Sequence, residues 1–287
     1  MCTTCNRSSR VGGDEIMQQE STRYESLSEQ LTLHVGDEMQ LLERASQAPH
    51  PMEIVLAPVE LHQRNIQRRL REAQKPKEAF AFDDAVGVSR TLLNANSRPT
   101  EAIDRIDRLS LIRGLLDESV ISSPTLTLPV GISSRDPQHI EQIRTEVETI
   151  TNFHAERITA WRTTADELSE PIDADTTELL EAALDIEGGL RTQTEKAISD
   201  IELIRRATRE LMATNGVAWA ESFGHIERLS IFGLSSISAP YADFVHSIVA
   251  TTPVDVHIYF RRATGEYLSD RMPALLDVSG PGSVVFE

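Results

Sequence analysis

The stretch "RLSIFGLSSISAPYADFVHSIVATTPVDVHIYF", residues 228–260, decides the fold class. Its apolar run "LSIFG" (229–233) reads as a short buried strand that stops at Gly233. The turn Gly233-Leu234-Ser235-Ser236 follows, with Gly233 serving the backbone turn and Ser235 or Ser236 placed to cap the next helix. "APYADFVHSIVATT" (239–252) is that helix, and Pro240 is acceptable in its first turn, where no N–H is needed. "VDVHIYF" (254–260) turns Val254, Val256, Ile258 and Phe260 to one side and Asp255, His257 and Tyr259 to the other. Strand, helix and strand within about 30 residues make a βαβ unit, whose crossover is right-handed. Strict alternation predicts that one face of the second strand is wet, or covered by something outside this chain. His257 on that face reads as structural rather than as a ligand.

Working upstream, "MEIVLAP" (52–58) is a strand ended by Pro58, and "VELHQRNIQRRLREAQ" (59–74) is a helix with Leu61, Ile66 and Leu70 apolar. "FDDAVGVSRTLL" (82–93) is a helix opened by Asp83 or Asp84, where acids suit the dipole. In "PTEAIDRIDRLSLIRGLLDES" (99–119) the stripe is Ile103, Ile106, Leu109, Ile112, Leu115 and Leu116, with Thr100 as N-cap. A turn-rich connector (122–137) leads to two long helical patterns. The first, 138–169, carries Ile140, Ile143, Val147, Ile150, Phe153, Trp161 and Leu168. The second, 175–213, carries Leu180, Leu184, Ile198, Ile201, Ile204 and Leu211, with a break expected at Gly188-Gly189. Arg157 and Thr208 interrupt these stripes, which favours an intramolecular helical subdomain over a coiled coil. In the polar first fifty residues, "LSEQLTLHVGDEMQLLERA" (27–45) is the helix-like stretch. The expected organisation is therefore a polar, partly disordered region 1–50, an α/β segment 51–125, a helical subdomain 126–215, and a βαβ segment 216–287 completing the α/β domain.

The chain of 287 residues carries 45 acidic and 28 basic side chains, for a formal charge of −17. Only Lys75, Lys77 and Lys196 are lysines. Acid-rich, lysine-poor composition resembles that of proteins from salt-accumulating halophiles; depletion of lysine far beyond arginine favours this over an acidic mesophilic protein with solvated helix faces. In molar salt the Debye length is about 3 Å, so net charge neither supports nor excludes DNA as a partner. No apolar run approaches the roughly 20 residues of a membrane span, which predicts a cytoplasmic protein with no membrane partner. Cys2 and Cys5 form a lone CxxC; zinc wants four ligands and no second pair completes them, so they read as free thiols and no metal site is expected.

Several catalytic signatures are absent from the sequence. A P-loop needs GxxxxGK[ST], and no Gly-Lys pair occurs. There is no GxSxG, no acid followed two residues later by lysine, and "SGPGSVV" (279–285) lacks the third glycine of a dinucleotide fingerprint. "LSIFG" runs on to "LSSIS" with no Asp or Glu before Asp243, so this strand ends without a carboxylate for magnesium.

Residues 225–268, "HIERLSIFGLSSISAPYADFVHSIVATTPVDVHIYFRRATGEYL", resemble the helicase-like region of RecC, the gamma subunit of exodeoxyribonuclease V, and of AddB-type helicase/nuclease B subunits. The resemblance rests on Ile231, Phe232, Gly233, Leu234 and Ser235, then Pro240, then Val254 to Phe260, then Tyr267. Over 52–210 only the order of strand, helices and long helices agrees. Together with the composition it implies a halophilic archaeal relative of those proteins. The implied fold is α/β: a partial parallel-sheet, P-loop-NTPase-like helicase domain with a large inserted helical subdomain. The implied role is that of a non-catalytic helicase-like protein, or a truncated or split helicase/nuclease subunit, in DNA repair or recombination. It would bind DNA or a helicase or nuclease partner subunit, with no cofactor and no catalytic residue. Arg261 and Arg262 are the candidates for phosphate contact, weighed against a solvated pair of loop arginines. The alternative is a helical protein-interaction module with no DNA role. A small-molecule enzyme with its site at the "GLSS" turn ranks last, because no nucleophile–base pair or metal cluster accompanies that turn.

Overall fold

The computed structural model describes residues 29–36, 39–45, 51–57, 60–122, 136–167 and 176–286. Five strands form one all-parallel sheet: β1 (Leu31–Val35), β2 (Glu53–Leu56), β3 (Ala81–Asp83), β4 (Arg228–Leu234) and β5 (Asp255–Phe260), in the spatial order β1-β5-β4-β2-β3. In chain order the helices are α1 (Met39–Arg44), α2 (Glu60–Glu72), α3 (Ala85–Ala95), α4 (Arg105–Ser122), α5 (Pro137–Thr151), α6 (Ala155–Glu167), α7 (Thr176–Gln193), α8 (Asp200–Ala213), α9 (Val217–Phe223), α10 (Ala239–Thr251), α11 (Arg262–Ser269) and α12 (Met272–Leu276). The α/β class read from residues 228–260 holds, and β4–α10–β5 is the βαβ unit.

Alternation in the strands sorts the core into two layers. Ile54 and Leu56 of β2, Leu229 and Ile231 of β4, and Val256, Ile258 and Phe260 of β5 pack against Leu92, Leu203, Leu211, Trp219, Phe244 and Ile248 from α3, α8, α9 and α10. On the opposite face Val55, Phe232 and Tyr259 pack under Leu41 and Leu42 of α1 and Ile66 and Leu70 of α2. The expectation of a wet or externally covered second face of β5 is corrected, because the chain's own α1 and α2 cover it: Tyr259 is buried, and its ring stacks between those of His34 (4.2 Å) and Phe232 (4.0 Å).

Several local expectations are corrected. Residues 31–35 are a strand, not part of a helix. Leu31 and Leu33 alternate with Thr32 and His34, and β5 supplies the ladder partners. α7 runs unbroken through Gly188-Gly189. A Cβ on Gly189 would sit 2.9 Å from Leu115 Cδ1, so this glycine admits α4 close to α7. α4 starts at Arg105, and its cap is Asp104, whose carboxylate accepts from Asp107 N at 2.8 Å; Thr100 lies upstream of that cap. Ile106 points to solvent. Asp84 caps α3, accepting from Gly87 N at 2.7 Å. The N-cap position of α10 is Ser238, beyond the exposed Ser235 and Ser236. Cys2, Cys5 and Leu168 lie outside the described residues.

The helices meet around buried charge. Arg144 and Arg205 are buried with Glu148 and Glu187. Arg144 reaches Glu187 at 2.8 Å, Glu141 at 2.8 Å and Glu148 at 3.2 Å, and Arg205 donates to Glu148 at 2.5 Å. Arg205 Nε also donates to Asn152 (2.7 Å), and Asn152 Nδ2 donates to Asp243 of α10 (2.6 Å). Arg157, which interrupts the apolar stripe, spans both oxygens of Asp243 at 2.5 and 3.1 Å. Burial pushes the Glu148 carboxyl up, but Arg144 and Arg205 outweigh it and hold it below the usual carboxylate range.

Packing and charge give three expected changes in stability. Glu148→Ala leaves two buried guanidinium groups undercompensated and destabilises by about 3–5 kcal/mol in urea unfolding. At Gly216 (φ +80°) a Cβ would collide with the Thr251 carbonyl, so Gly216→Ala costs more than about 1 kcal/mol. Gly114 lies within α4 with open space around it, so Gly114→Ala stabilises by about 0.5–1 kcal/mol. The same denaturant titration reads all three.

Candidate functional site

From β2 the chain moves to β3 on one side, and from β4 it moves to β5 on the other. β2 and β4 are neighbours, so a crevice opens at their carboxyl ends, the place where open α/β sheets hold ligands. At this edge Gly233 adopts φ +74°, and the pairing of β4 with β5 slips between Phe232 and Leu234. Glycine is required twice over: the left-handed backbone suits it, and a Cβ would collide with the ring of His62.

His62 stands in the first turn of α2. Its Nε2 lies 2.8 Å from Arg261 Nη2. A guanidinium only donates, so Nε2 is the acceptor and the neutral ring carries its proton on Nδ1, towards Gly233. Arg261 is anchored through its own N–H to the Leu234 carbonyl at 3.1 Å. The stem of Arg262 lies over Gly36 (φ +71°), whose N–H donates to the Phe260 carbonyl at 2.9 Å. The fold thus gathers Gly233, Arg261 and Arg262 at one edge, with both arginines exposed, Leu234 buried and Ser235 and Ser236 in solvent. His62 escaped the sequence reading because its partner is 199 residues away.

A strand-end carboxylate is present, but on β3 rather than β4. Asp83 closes β3 and accepts from Asp84 N at 2.8 Å, while Asp84 caps α3. Burial raises the Asp83 carboxyl above its ordinary value, partly offset by the Asp84 amide. Among the described residues no three His, Cys, Asp or Glu side chains are grouped to hold a metal.

The sequence over residues 17–287 matches the family described as Halobacterial UvrD-like protein. The chain belongs to that family. No curated protein matches it. This UvrD-like protein is therefore helicase-like and halobacterial, in agreement with its acid-rich, lysine-poor composition. No helix among its described residues is long and apolar enough to cross a membrane.

Below the carboxyl edge, the sheet face that carries Tyr259 holds a polar group. Arg228 Nε donates to His257 Nε2 at 3.1 Å, so His257 Nδ1 carries the proton and donates to His34 Nε2 at 2.9 Å. Arg44 pairs with the buried Glu53 at 2.9 Å, and Ser230 donates to the same carboxylate at 2.5 Å. Burial, then the charges of Arg44 and Arg228, lower His257 from 6.5 to about 4.

The sign of the pH dependence follows from that shift. Folded His257 stays neutral while the unfolded ring takes a proton below 6.5, so its contribution is present above 6.5 and is lost as pH falls towards about 4. Thermal melts should therefore drop across that window in the parent, and His257→Gln should flatten this part of the profile.

Proposed function

We propose that this halobacterial UvrD-like protein is a non-catalytic, RecC/AddB-type helicase-like protein that acts in DNA repair or recombination in the cytoplasm. It binds DNA, or a helicase or nuclease partner subunit, and turns over no ATP. The observation that carries the reading is the make-up of the crevice between β2 and β4. An active P-loop enzyme surrounds phosphates there with glycine N–H groups and a lysine. Here only Ala57, Pro58 and Val59 separate Leu56 of β2 from Glu60 of α2, too few for that loop and without its glycine or lysine. The cations named at the edge are Arg261 and Arg262, the N-cap and first residue of α11, directly after β5. In this reading they contact phosphates, the irregularity of β4 at Gly233 and the Ser235-Ser236 segment after it keep the crevice open, and the helical subdomain within 126–215 presents a face to a partner subunit.

Arginine suits the role, because its fork grips phosphate oxygens without needing a metal. Both arginines are exposed, while the peptide just before them is held at both ends, its N–H donating to the Leu234 carbonyl and its Phe260 carbonyl accepting from Gly36 N.

Binding to blunt duplex and to single strands, followed over a potassium chloride series, tests the proposal. Arg261→Ala/Arg262→Ala should lower affinity about tenfold and reduce the slope of log K against log salt by about two, one for each phosphate contact. Magnesium-dependent ATP turnover should be absent. If neither form of DNA is bound while a protein partner is retained by the chain, the helical interaction module is the correct reading instead.

A further inference from the structure

In a chain of net charge −17, the segment 60–77 stands apart in composition, with Arg64, Arg68, Arg69, Arg71, Lys75 and Lys77 against Glu60 and Glu72. α2 supplies four of those arginines. Its inner side, Ile66 and Leu70, is buried against the sheet, so the charges are turned outward. Arg64, Arg68 and Arg71 follow at intervals of four and three, which aligns them on one face. All three are exposed. At 1.5 Å per residue they span about 10 Å, close to three nucleotide steps of one strand of a duplex at about 3.4 Å each.

The stripe shares its helix with a residue of the candidate site. His62 holds Arg261 at 2.8 Å from the inner side of α2, about half a turn from Arg64, so the stripe runs along the outer face of the same helix whose first turn meets the carboxyl edge of the sheet. Within the stripe Arg64 pairs with Glu60 at 2.6 Å and Arg68 lies 3.9 Å from Glu72, with all four side chains at least 60% exposed. Exposed i,i+4 pairs of this kind contribute only a few tenths of a kcal/mol, so phosphates can replace the glutamates. Arg71 Nε meets only the Gln67 carbonyl, at 3.4 Å, leaving its other donors turned to solvent.

The face also indicates the form of the polymer. Surfaces for single strands stack unpaired bases on aromatic rings. α2 has no Phe, Tyr or Trp, and the ring of His62 is turned inward between Gly233 and Arg261. What remains is backbone contact without base contact, which a duplex satisfies.

We infer that the outer face of α2, through Arg64, Arg68 and Arg71, is a track for the phosphate backbone of duplex DNA. The inference rests on the reading that the protein binds DNA, and it adds where the polymer lies and in which form.

The test uses the full chain, a labelled blunt duplex and its separate single strand, with anisotropy read only in salt where circular dichroism shows the chain folded. Arg68→Ala/Arg71→Ala should weaken duplex binding about tenfold and lower the salt slope by about two. Single-strand binding should change less than about twofold, and Arg68→Glu/Arg71→Glu should lose the duplex altogether. If Arg261→Ala/Arg262→Ala weakens the duplex while the folded α2 variants match the parent, the track is overturned and the DNA reading stands. Equal losses on single strand and duplex overturn the choice of duplex. A parent chain that binds neither overturns both readings.

Discussion

The arrangement of the helices depends on one buried set of charges: Arg144, Glu148, Glu187 and Arg205, each at most 1% exposed. Removing each from water costs several kcal/mol, and only close opposite charges offset that penalty. α5, α7 and α8 must therefore meet in the one geometry that lets each guanidinium touch more than one carboxylate. Asn152 and Arg157 carry the constraint to Asp243 in α10, and α10 is the crossover between β4 and β5. The C-terminal segment is tied in as well, through Gly282 N to Asp243 at 3.3 Å and Val285 N to the Phe153 carbonyl at 3.1 Å. The charge set thus clamps the helices to the strands whose ends carry the candidate site.

Charge is used in two different ways in this molecule. Inside, arginines and glutamates are matched almost atom for atom. Outside, the acidic excess is spread over the surface, while residues 60–77 gather cations on one helix and the segment after it. In concentrated salt, fields reach only a few ångströms, so an acidic molecule can carry a local cationic line without cancelling it. What matters for a polyanion is then the spacing of arginines within contact range.

Much of the candidate site was legible because it lies beside the clearest stretch of sequence. Arg261 and Arg262 follow β5 directly, as short-range pattern reads them, but Gly233 and Leu234, read as the turn after the strand, belong to β4 itself, because Leu234 still pairs with Phe260. His62 was not legible, since nothing local marks a side chain whose partner comes from the far end of the chain. Asp83 was missed for a different reason: β3 has three residues, too few to show a period, so its strand-end carboxylates read only as helix openers. The basic character of α2 was in plain view, but which side faced outward depended on what covered Ile66 and Leu70.

By itself the sequence determined the β4–α10–β5 unit and the positions of α2, α3, α4 and α10. These follow from periods of two and 3.6, which each segment carries within its own few residues. Tertiary structure alone decided that residues 31–35 form an edge strand, that α1 and α2 cover the second face of β5, and that Gly188-Gly189 stays helical. It also decided that Arg157 turns inward to Asp243. Ladder hydrogen bonds, close helix approach and pairing of buried charges are made between segments far apart in the chain, so no single window of sequence contains both partners.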